Sequence, residues 1–237
     1  MKNIENKKDK LVEELQEMHE KVAELEKIVA RDNRLERELQ QSDKKLQKLI
    51  EGIAYIITEI VEIRDPYLRG HHQRVSKLAT AIAQEMKLPQ DKIEGVKIAS
   101  LVHDVGKVNL PTDIVSKPST LVEVEFNLLK NHPRTGYEIL KKVNFPWPIA
   151  EIVFQHQEKI DGSGYPRGLK GTEILIEAKI LGVANVVEAM SSYKSYRPAL
   201  GMDESLSEIS KYKNILFDPK VVDACLKLFK EKRFKFE

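Results

Sequence analysis

His103-Asp104-Val105-Gly106-Lys107 closes a run in which Ile93, Val96, Ile98, Ala99, Leu101 and Val102 recur at helical spacing. The His-Asp pair therefore stands at the C-terminal end of an apolar helix, with Gly106 placed to terminate it. Such a pair can be no more than a capped helix end followed by a surface lysine. It is also part of what a divalent first-row metal requires, provided further imidazoles arrive from other segments.

Those imidazoles are present. Of six histidines, His71, His132 and His156 also stand where helices should begin or end. His71 follows Gly70 and opens an amphipathic helix marked by Val75, Leu78, Ala79, Ile82, Ala83 and Met86. His132 occupies an N-cap position before Pro133, with a helix expected to about Val143. His156 ends a helical stretch over 147–157. Taken singly, each is also readable as a local hydrogen-bonding residue. His72 reads as a polar neighbour, because adjacent helical positions do not share a face, and His19 as a solvated residue. Helical patterning recurs over 123–129, 174–190, 204–212 and 219–230, and no alternating run marks a strand. The expected fold is all-α, a helical bundle.

Ahead of the bundle, residues 1–63 carry no Pro and no Gly except Gly52. Steps of four and three from Leu11 reach Leu15, Met18, Val22, Leu25, Val29, Asp32, Glu36, Leu39, Asp43, Leu46, Ile50, Ile53, Ile57 and Ile60. Twelve of these fifteen positions are apolar, the seam of a coiled coil. Asp32, Glu36 and Asp43 should loosen its middle. The seam calls for a partner, most simply a second copy in a parallel homodimer; packing back on its own domain is the alternative. Past Ile50 the stripe widens through Ala54 and Ile56, as if entering a core. The expected domains are 1–63, a coiled-coil helix, and 64–237, the helical domain.

Composition excludes several classes. A net charge of +2, from 39 basic and 37 acidic residues, gives no bulk attraction to nucleic acid or anionic lipid. One cysteine, Cys225, allows no internal disulfide and suits a reducing compartment. The polar N-terminus lacks a signal-peptide core, and no apolar run approaches membrane-spanning length. A cytoplasmic location is expected.

The segment Asp161-Gly162-Ser163-Gly164-Tyr165-Pro166 reads as a tight loop whose glycines allow close approach to a ligand. Arg167, Lys170, Lys194 and Arg197 offer positive charge to a phosphate, although each alone is also an ordinary surface residue.

In combination the motifs are more specific. Arg64-Asp65-Pro66-Tyr67 with Gly70-His71, then His103-Asp104-Val105-Gly106-Lys107, Asn131-His132-Pro133, and Asp161 through Gly168 resemble an HD-GYP domain over about residues 60–230. That is a helical subgroup of the HD phosphohydrolase superfamily. The resemblance implies a centre of two or three metals, often iron or manganese, and metal-dependent hydrolysis of cyclic di-GMP; for this chain one or two ions are expected. It implies His71, His103, Asp104, His132 and His156 as metal ligands, with Asp104 bridging and also catalytic. Lys107 would contact the substrate phosphate as the second catalytic residue, while Gly164, Tyr165, Pro166, Lys194 and Arg197 would help bind the nucleotide.

Three departures accompany it. Gln157 stands where the family has a second histidine, and Asn185 where it has an aspartate ligand; Tyr67 replaces a glutamate that some members use for a third metal. Asn185 is thus at best a weak ligand, removing a negative charge from a site for dications. Glu188, on the same helix face, is a candidate substitute. The centre served by Asp104, His132 and His156 is the better preserved. Impaired metal loading is expected, and the competing reading is a degenerate module that binds nucleotide or a protein partner without turnover.

Overall fold

The computed structural model describes residues 2–65, 68–117, 119–192, 199–232 and 234–236. Among them no strand forms; the only β-type pairings are isolated bridges, Asp161 with Lys170 and Lys213 with Phe217. The helices are α1 (Lys2–Arg64), α2 (His71–Glu85), α3 (Gln90–Val102), α4 (Thr112–Val115), α5 (Glu123–Leu129), α6 (His132–Leu140), α7 (Ile149–Gln155), α8 (Ile176–Ser191), α9 (Met202–Lys211) and α10 (Pro219–Lys230). Short 3₁₀ turns lie at Val105–Asn109 and Gly171–Glu173. No helix among the described residues is long and apolar enough to cross a membrane.

Two compact units divide between Glu51 and Gly52. The first is helical throughout, and α1 continues unbroken past Asp32, Glu36 and Asp43. Its seam lies open: Leu15, Val22, Leu25, Val29 and Leu39 are all exposed, Leu39 at 63%.

The second unit begins with the last turns of α1, and here the helix presents a face other than the one expected. Ala54, Thr58, Val61 and Glu62 are buried, whereas Ile53 and Ile60 remain exposed and prolong the seam, with Ile56 exposed beside them. Of the expected widening, Ala54 enters the core and Ile56 does not; Thr58 and Val61, each one position past the seam, complete the buried face. Polar bonds secure it. Thr58 Oγ1 donates to the Leu101 carbonyl at 2.7 Å, and Arg64 donates to the carbonyls of Val108 and Leu110, the latter at 2.7 Å. The end of α1 thus grips the chain on both sides of the His103–Lys107 motif.

Within the core, α2 packs between α3 and α8, and α6 packs on α7 and the first 3₁₀ turn. Val75, Leu78, Ala79, Ile82 and Ala83 of α2 are all fully buried. Each large side chain contributes roughly 1.5–3 kcal/mol on burial. That outweighs any intrinsic preference of a helix this short, which would be marginal alone. Asp218 caps α10 by accepting from Lys220 N–H at 3.0 Å, with Pro219 in the first turn.

Candidate metal centre

Four breaks in helical structure deliver the site. Gly70, with φ +71°, turns the chain into α2 so that His71 is its first residue. His103 follows the last residue of α3, and Asp104 leads into the 3₁₀ turn that carries Lys107. Gly106 does not end α3, which has already stopped at Val102; it lies inside that turn, against the first turn of α6. A Cβ there would fall 1.9 Å from the His132 carbonyl oxygen and 2.6 Å from Gly136 N, so only glycine lets the two backbones touch. This contact brings His132, the first residue of α6 rather than its N-cap, to Asp104. His156 arrives directly after α7.

The five residues that the resemblance implies as ligands converge. His71, His103 and Asp104 form one buried group, and Asp104, His132 and His156 a second, with the ligand atoms of each within 4.8 Å of one another. Asp104 belongs to both. His103, His132 and His156 are oriented alike. Each Nδ1–H donates to the carbonyl three residues back, Ser100, Leu129 and Val153, at 2.8, 2.8 and 2.6 Å. A carbonyl can only accept, so in the neutral rings the lone pair sits on Nε2 and faces Asp104. His132 Nε2 lies 3.4 Å from Asp104 Oδ1, and His103 Nε2 lies 3.5 Å from Oδ2. His103 Nε2 is buried and makes no hydrogen bond.

The electrostatics favour this donor set. Burial pushes the His103 imidazole well below its usual pKa, and brings His132 to about 3 and His156 to about 4. All three are neutral at pH 7, the form that ligates metals. Burial acts the opposite way on Asp104, raising its carboxyl, but the Lys107 ammonium beside it outweighs this and keeps the group ionised. Lys107 Nζ donates to Asp104 Oδ2 at 2.6 Å.

Two further residues enter the site in ways the sequence did not reveal. His72 is 1% exposed; its Nδ1 bonds Glu62 Oε1 at 2.8 Å, and its Nε2 faces Asp104 Oδ2 at 3.7 Å. Burial opposes charging this ring, yet Asp104 and Glu62 on either side raise its pKa. Glu188, fully buried, bonds His71 Nδ1 and accepts from Arg74 Nε at 2.7 Å and Ser192 Oγ at 2.7 Å. It is not a member of either ligand group; it holds His71 from behind, as carboxylates hold metal-ligating imidazoles.

A cleft of about 380 Å³ opens on the centre. His71, Asp104, Lys107, Gln157 and Asn185 line one part of it, and Leu68, Leu121, Phe126 and Leu129 give it apolar wall. Gly164, Tyr165 and Pro166 are not among its lining residues, although the Asp104 charge adds to burial in raising the Tyr165 phenol. Their loop is folded onto the end of α7. Glu158 accepts from Arg167 N–H at 2.7 Å and Leu169 N–H at 3.0 Å. A Cβ on Gly164 would lie 2.4 Å from Glu158 Cα. Lys194, Arg197 and Tyr67 lie outside the described residues.

The residues present fit a divalent transition metal. Inward-facing lone pairs, an ionised carboxylate common to both groups and an orphaned buried imidazole nitrogen form a donor set of that kind.

Comparison with known proteins identifies the family. The model of a family described as "HD domain" matches residues 55–221. A cyclic di-GMP phosphodiesterase of Thermotoga maritima is 39% identical over 74% of this chain and 48% of its own length. The cyclic di-GMP phosphodiesterase response regulator RpfG of Xanthomonas campestris is 37% identical over 72% and 46%. A 3'3'-cGAMP-specific phosphodiesterase of Vibrio cholerae is 31% identical over 75% and 39%. The chain thus spans less than half the length of these curated relatives. Among solved structures, Bd1817, an HDG"Y"P protein from Bdellovibrio bacteriovorus, shares the fold with a TM-score of 0.57 at 22% identity, over 68% of this chain and 51% of that one.

Proposed function

The chain belongs to the HD domain family, in its HD-GYP branch, and on that footing we propose that it is a metal-dependent phosphodiesterase that opens a cyclic dinucleotide, cyclic di-GMP foremost. One observation carries the reading: two buried ligand groups share Asp104 beside a cleft that Lys107 also lines.

His71, His103 and Asp104 would hold one ion, and Asp104, His132 and His156 a second. The resemblance to HD-GYP domains points to iron or manganese, one or two per chain. When bound, such an ion supplies Lewis-acid stabilisation of charge on phosphoryl oxygens. The chain's own groups do the rest. Lys107 brings three N–H donors to the cleft; one is engaged by Asp104, and the others are directed to a non-bridging phosphate oxygen. The apolar wall containing Phe126 offers the bases a surface to lie on. Tyr165, with Gly164 and Pro166, and the pair Lys194 and Arg197 are assigned to the outer part of the nucleotide.

Metal loading is weaker than in a fully furnished centre, since Asn185 and Gln157 offer neutral amides at the cleft. The same observation favours a second reading, a module that binds the nucleotide without turnover. The open seam of α1 supports a homodimer through that helix, and the buried free thiol of Cys225 suits a cytoplasmic setting.

Turnover decides between the readings. Purified protein supplied anaerobically with Fe²⁺ or Mn²⁺ should linearise cyclic di-GMP, and faster than 3'3'-cGAMP, while Asp104→Asn should not. Binding of the nucleotide without product would establish the second reading instead.

A further inference from the structure

Glu62 holds two donors with its two oxygens. Oε2 accepts from Gly70 N–H at 2.7 Å, and Oε1 from His72 Nδ1–H at 2.8 Å. Both Glu62 and His72 are buried, and the opposite edge of the His72 ring faces Asp104 Oδ2. A carboxylate on the last turn of α1 therefore fixes the ring that flanks the shared ligand of the centre. The Gly70 bond anchors that carboxylate on a backbone donor that cannot turn away.

We infer that Glu62 is a positioning residue for the metal centre, acting through His72 on Asp104. The inference rests on the metal-binding reading of Asp104. His72 is packed within 5.1 Å of the His103 ring, centroid to centroid, and within 5.2 Å of the His71 ring. A turn of its ring therefore cannot leave the neighbouring imidazoles undisturbed. Glutamine at position 62 keeps the size of the side chain but has a single acceptor oxygen. With that oxygen on Gly70 N–H, its NH₂ points a donor at the His72 Nδ1–H, and the ring must move from its place beside Asp104.

Calorimetric titration of metal-free protein with Mn²⁺ tests this, with thermal melts in EDTA run alongside. E62Q should weaken Mn²⁺ binding about tenfold, the scale of losing a partner behind a ligand. The loss should shrink to within about twofold when E62Q is placed on a His72→Gln background, since the intermediary is then gone. A purely structural role would lower the melting temperature and leave the Mn²⁺ affinity alone. E62Q binding within about twofold of wild type, or its full loss persisting on the H72Q background, overturns the inference while the gap between wild type and D104N stays intact. Wild type binding Mn²⁺ no better than D104N removes that gap, and brings down the metal-centre reading together with the role of Glu62.

Discussion

His132 Nε2 and His156 Nε2 face one another at 3.3 Å, each ring having given its Nδ1–H to a carbonyl. Two lone pairs at that separation, buried and beside Asp104, repel unless a positive charge lies close by. A divalent cation should therefore stabilise the fold as well as serve it. At a hundredfold excess over its dissociation constant, a ligand adds about 2.7 kcal/mol. For a domain of this size that raises the melting temperature by about 5–10 °C. Melting with Mn²⁺ against EDTA measures it, and D104N should abolish the shift.

The same two rings make the metal-free protein sensitive to acid. Their folded pKa values, about 3 and about 4, lie below the ordinary histidine value near 6.5. The unfolded chain therefore takes up protons first as pH falls. The stability they contribute is complete above about pH 6.5 and drains away towards pH 4. Melting in EDTA should fall by about 5–10 °C between pH 7 and pH 5. A flat profile would show that the rings are not buried as neutral groups.

Gly106→Ala should be among the most damaging single methyl additions in the chain. The new carbon meets the His132 carbonyl, and neither backbone can yield without separating the 3₁₀ turn from α6. A loss of about 3 kcal/mol in urea unfolding is expected, together with loss of Mn²⁺ binding. Tolerance of alanine would refute the contact.

If Gln157 and Asn185 stand at ligand positions, supplying a histidine and an aspartate there should strengthen the centre. The double substitution Asn185→Asp, Gln157→His should raise metal content and tighten Mn²⁺ binding at least about tenfold, with activity following. Elemental analysis and turnover check it. No change in either would mean that these two positions do not serve the metals.

For α1, sedimentation at micromolar concentration should give twice the mass of one chain. Val22→Lys with Leu25→Lys, both on the open seam, should return it to a single chain without altering the metal-dependent melt.

The helices were legible because they follow local rules, and the five side chains that converge on the centre because the resemblance implied them. The apolar spacing of α2 and α10, Pro133 in the first turn of α6, and histidines at helix ends are all visible along the chain. What escaped depended on contacts across it. Gly106 reads as a stop signal until His132 is seen against it. His72 reads as a polar neighbour because adjacent positions on a helix diverge, yet at the first turn of α2 both directions are buried, one towards Glu62 and Asp104 and the other towards Glu188. Glu188 reads as a candidate substitute ligand, whereas it backs His71 instead, through a bond that spans more than a hundred residues. Ala54 was legible in the widening stripe of α1, but Thr58 and Glu62 were not, because polar residues carry no apolar signal.

The rings of α2 and those of the other segments are backed differently. His71 leans on a carboxylate, whereas His103, His132 and His156 lean on peptide carbonyls. An imidazole backed by an anion donates more electron density than one backed by an amide. The pocket is lopsided before any ion arrives, and its two halves are not interchangeable seats. One chain could in this way sort unlike cations side by side.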